Sequence, residues 1–172
     1  ATGAAPAITN LHTMKPRLDV LVTTASTTAI AALRPNGGSI RPVRVGRDAN
    51  APCGFLARFG WAPATGVSNA SHRAFCGLDG TTNVPTDVEN SGLTTGIVGM
   101  GWDAADANIQ IMHNDLSGAA TKIDLGASFP VPTVDRGEVY ELQLFSPNSL
   151  TQSVSYRVIR YDKTDNTIAA EA

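Results

Sequence analysis

Charge is scarce in this 172-residue chain: Asp, Glu, Lys and Arg make up 16% of it, against roughly 25% in an average soluble protein. The net charge of -2 and the scattered lysines and arginines leave no basic stripe for a phosphate backbone, which sets nucleic acid aside as a partner. Cysteine is nearly absent. Cys53 and Cys76 are too few for a disulfide framework or a CxxC metal site. They read as reduced thiols packed as small hydrophobes, with a single bridge as the alternative. No apolar run approaches the length of about 18 residues that a membrane helix needs, so membrane insertion is not expected. The opening "ATGAAPAITNLHTMKPR" lacks the basic-then-apolar order of an export signal. Helical periodicity is missing too, since apolar residues nowhere recur at that spacing beyond about two turns.

What replaces charge is Thr, Ser and Asn, with 16 Gly and 10 Pro. That mixture suits many short strands joined by turns. Residues 1–16 read as an N-terminal arm or linker, and 17–172 as a single domain, a length sufficient for a real core. Strand alternation begins at Leu18, Val20 and Val22. It returns in "CGFLARFGWAP", where Phe55, Ala57, Phe59 and Trp61 share the core side and Leu56 and Arg58 the other. In "SHRAFCGL" one face holds Ala74, Cys76 and Leu78, the other Arg73, Phe75 and Gly77. A loop follows, with one helical turn expected at Asp87 to Asn90. The clearest hairpin is "VYELQLFSPNSLTQSVSYRVIRYD", in which Tyr140, Leu142 and Leu144 alternate, "SPNSLTQ" turns, and Val154, Tyr156 and Val158 alternate back. Eight or nine short strands of this kind predict an all-β chain with little helix: an antiparallel β-sandwich or jelly roll.

The stretch most suggestive of chemistry is "GMGWDAADANIQIMHNDLSG", residues 99–118. A dinucleotide fingerprint needs glycine where Ala104 stands and a helix after it. A calcium loop needs ligands at alternate positions, and the gap from Asp103 to Asp106 before Asn108 is too wide. The simpler reading is a strand, a tight turn at "DAADAN", a returning strand and a second turn at "NDLSG", with Asp and Asn bonding their own backbone and the first two glycines permitting close backbone approach. His113 should share a strand face with Ile109 and Ile111, in a structural role. Two acids for glycoside hydrolysis carry no sequence signature, and Asp103, Asp106, Asp115, Asp124 and Glu141 are the candidates for such a pair. Trp61 is expected in the core; for Trp102 core and exposed sugar-stacking positions are both open. Asn69-Ala70-Ser71 matches a glycosylation sequon. No catalytic, cofactor or metal residues are assigned.

The ordered blocks "RFGW", "AFCGL", "PTDVEN", "GMGWD", "NIQIMHND", "TKIDLG" and "YEL", spread from Leu18 to Asp162, resemble a domain of tailed-bacteriophage virion proteins of the tail fibre or minor structural type. The resemblance implies a virion component made in the host bacterial cytoplasm, β-rich and homotrimeric, which acts in host attachment. Its partners would be further copies of itself, other virion proteins and the host surface polysaccharide; no catalytic residues carry over. A capsid-decorating or head-fibre protein and a lectin-like carbohydrate-binding module are the alternatives. Sandwiches display binding residues on loops, so receptor contacts are expected from Ser68, Asn69 and His72, from Asp79, Thr81 and Asn83, and from Asn148 and Gln152. Members of that family continue past "SYRVIRYD" with two more strands. The present chain ends in "KTDNTIAAEA", so either it is shortened or a neighbouring subunit closes the sheet; an open edge favours an oligomer.

Overall fold

The β6–β7 hairpin sets the frame. In this computed structural model, which describes residues 45–47, 54–62, 72–80, 95–132, 138–162 and 167–172, β6 (Val139–Ser146) and β7 (Ser155–Tyr161) pair antiparallel, with Leu142 opposite Val158 and Phe145 opposite Ser155. The alternation puts Tyr140, Leu142 and Leu144 on one face, all fully buried. β1 (Phe55–Trp61) lies along the other side of β6, its exposure alternating residue by residue with Leu56 and Arg58 outward. β8 (Ile168–Glu171) completes the sheet in the order β1-β6-β7-β8. This corrects one expectation: the edge left to a neighbouring subunit after "SYRVIRYD" is occupied by the chain's own terminal residues, since "IAAE" pairs with β7 and Ala172 exchanges backbone hydrogen bonds with Val158.

The second sheet is a meander of β2 (Ala74–Asp79), β3 (Ile97–Trp102), β4 (Gln110–Asn114) and β5 (Thr121–Asp124), each beside its sequence neighbour. The two antiparallel four-stranded sheets form an all-β sandwich, with no helix among the described residues. Met100, Trp102, Ile109 and Ile111 from the second sheet meet Tyr140, Leu142, Leu144 and Val158 from the first, and Phe129 is enclosed with them. Such matched apolar faces are what drive sheets together. Phe129 is held there by a β-type exchange with the residues before β4: Ile109 N–H donates to the Phe129 carbonyl at 2.7 Å and Val131 N–H to that of Ala107 at 2.9 Å.

The second sheet, largely exposed at β5, is buried on both faces along β3 and most of β4. Ile97, Gly99, Gly101 and Met112 lie on its outer side by alternation and are as enclosed as Met100 and Ile111 on the inner side. The "GMG" glycines have the expected cause. A side chain at Gly101 would collide with the Ala74 backbone carbonyl of β2, and one at Gly99 would lie 2.6 Å from the Cys76 carbonyl. The expected strand at Leu18, the helical turn at Asp87 to Asn90, the N-terminal arm and Cys53 all lie outside the described residues.

Candidate functional site

The predicted contact residues that lie among the described residues do not converge. His72 precedes β2 at the end of the sandwich where Trp61 stacks on Trp102, ring centroids 4.9 Å apart and 17° from parallel. The His72 ring sits 5.9 Å from that of Trp102, and its carbonyl accepts the indole Nε1–H at 3.0 Å. Burial lowers the His72 pKa, and the neighbouring Arg73 charge lowers it further. Asp79 closes the same strand, about 23 Å away at the usual rise per residue. It is exposed, and the Thr95 hydroxyl donates to its carboxylate at 3.4 Å. Asn148 and Gln152 lie in the β6–β7 turn, at the end of the first sheet remote from the tryptophans. Ser68, Asn69, Thr81 and Asn83 lie outside the described residues, as does the sequon.

The β6–β7 turn is the best built of these positions. Gly46 N–H donates to Ser146 Oγ at 2.8 Å, and Arg47 N–H to the Ser149 carbonyl at 2.7 Å. Gly46 adopts a φ of 70°, and a side chain there would lie 3.0 Å from Gln152 Cα. The segment therefore needs glycine to seat against the turn. Asn148 and Gln152 remain exposed on this braced loop.

The tryptophan question resolves with a reversal of emphasis. Trp102, open from sequence, is 1% exposed; Trp61, expected in the core, is half-buried and packs against it. A ring as enclosed as Trp102 cannot offer a face to sugar. His113 follows the face of Ile109 and Ile111 by alternation, opposite Val98, but is exposed.

Two of the carboxylate candidates are brought together and the others stand apart from them. Asp103 and Asp106 face one cation: Lys122 Nζ donates to Asp106 Oδ1 at 2.5 Å and to Asp103 Oδ2 at 3.3 Å. Burial works against the Lys122 charge, and the two carboxylates more than offset it, leaving the ammonium above its ordinary pKa. The same residues close the turn. Asp106 N–H donates to the Asp103 carbonyl at 3.1 Å, and Asp103 N–H to Asp106 Oδ2 at 2.9 Å. Lys122 occupies the space that a glycosidic oxygen between the acids would need. Asp124 is held low in pKa by the Gly126 N–H, a bond of 2.7 Å. Asp115 lies in the "NDLSG" turn, where its Oδ1 accepts the Ser117 N–H at 3.2 Å. Glu141 is on the other sheet, 2.5 Å from Arg58. No group of three metal-ligating side chains occurs among the described residues.

The feature missed from sequence is the outer face of the first sheet. Register places Leu56, Phe145 and Ser155 in one row, then Arg58, Gln143 and Arg157, then Gly60, Glu141, Ile159 and Glu171. Arg58 pairs with Glu141, which also accepts from Gln143 Nε2 at 2.6 Å; Arg157 grips Glu171 with two bonds of 2.7 and 2.9 Å. The signal was present as the residues alternate to Tyr140, Leu142 and Leu144, but alternation names a face without saying what stands opposite it. No family model, curated protein or solved structure matches the chain.

Proposed function

We propose that the chain is a structural component of a tailed-bacteriophage particle, a tail-fibre or spike-type appendage domain that takes part in host attachment. The ordered sequence blocks support the virion assignment. The observation that carries the attachment role is the braced β6–β7 turn, which holds Asn148 and Gln152 exposed at one end of a rigid sandwich. A loop fixed before binding loses little entropy on contact, and uncharged amide side chains suit the hydroxyl groups of a surface polysaccharide. Contacts that are weak singly add through avidity when an appendage carries several copies.

Gold-labelled antibody against the chain, applied to intact particles, is expected to mark the tail tip. Label over the capsid would replace attachment with decoration, and its absence from particles would overturn the virion reading. Purified chain should slow adsorption of the parent phage to host cells, and Asn148→Ala with Gln152→Ala should relieve that competition. Undiminished competition by the double variant would remove the turn from the contact surface.

A further inference from the structure

We draw no further inference here: the strongest candidate, the apolar patch of Leu56, Phe145 and Leu150 at one end of the outer face of the first sheet, carries nothing because nothing in the structure shows what covers it.

Discussion

The two sheets of the sandwich solve the same problem differently. Both contribute an inner face to one core, yet in the second sheet β3 and β4 are buried on their outer side as well, at Ile97, Gly99, Gly101 and Met112. The first carries a polar ladder on its outer face, with Arg58 and Arg157 exposed around a buried Glu141 and Ile159 and an apolar row at its end. Their composition follows. A strand enclosed on both faces has no place for alternation of polar with apolar, and "IVGMGW" has none; a strand with one wet face keeps it, as in "FLARFGW". Close approach in the second sheet is achieved with glycine, whereas the backbone ladder of the first is accompanied on its outer face by the cross-strand pairs Arg58–Glu141 and Arg157–Glu171. The second sheet should therefore be sensitive to volume, and the first to charge.

The largest test of that contrast lies where the sheets meet. Trp102→Ala empties a fully buried site in the second sheet and should cost about 3–5 kcal/mol in urea unfolding. A loss below about 1 kcal/mol would mean that the core does not depend on this ring. Next, one substitution should act in opposite directions in the two sheets. Gly101→Ala forces a methyl group into the Ala74 carbonyl and should cost roughly 2–3 kcal/mol. Gly60→Ala meets nothing within 4 Å and should stabilise by about 0.5 kcal/mol by restricting the unfolded chain. Equal responses at the two glycines would erase the distinction between the sheets.

Cys76 extends the comparison to pH. It is a free thiol packed against the core, and burial pushes its pKa up to about 11 from an ordinary value of 9.0. The folded state thus keeps a proton that the unfolded chain releases. The stability this provides is complete below pH 9.0 and is lost as pH rises toward about 11. Melting temperatures across that window should fall in the wild type and fall less in Cys76→Ala. Native labelling of this thiol at pH 8 should be far slower than labelling in denaturant.

Effects smaller than those at Trp102 and Gly101 are expected at the β4–β5 turn. Asn114 Oδ1 accepts the N–H groups of Leu116 and Ser117, at 2.8 and 3.1 Å, while its Nδ2 donates to the Gly118 carbonyl at 2.8 Å. These bonds hold Leu116 at a φ of 78°, a conformation costly for a residue with a Cβ. Asn114→Ala should cost about 1–2 kcal/mol. Leu116→Gly should raise stability by about 0.5 kcal/mol, since relief of strain exceeds the added chain entropy. A loss of stability in Leu116→Gly would show that its exposed side chain has a packing partner.

Much of this was legible beforehand where one face of a strand is wet. The Tyr140, Leu142 and Leu144 alternation, the "SPNSLTQ" turn and the faces of β1 and β2 were all readable, because burial on one side writes a period of two into the sequence. The "DAADAN" and "NDLSG" turns were readable because Asp and Asn bond within three residues of themselves. Long-range partners were not. Nothing in "IAAE" announces an edge strand, since four small or weakly patterned residues pair only because β7 offers an unfilled row of backbone groups. Nothing local separates Trp102 from Trp61. Of the candidate contact residues that are described, His72 and Asp79 stand at opposite ends of β2 and Asn148 and Gln152 in the turn of the other sheet, a placement that loop chemistry alone does not contain.

The sequence by itself determined that this protein is built from strands and tight turns and which side of its alternating strands faces inward. These are properties of composition and of neighbours a few residues apart, where the physics is local. Only the tertiary structure decided which strands lie side by side, and with them the burial of Trp102, the capture of Lys122 between Asp103 and Asp106, and the alternating charges of Arg58, Glu141, Arg157 and Glu171. Those depend on residues as many as 113 positions apart along the chain, from Arg58 to Glu171. Their energies are set by distances that no local pattern contains.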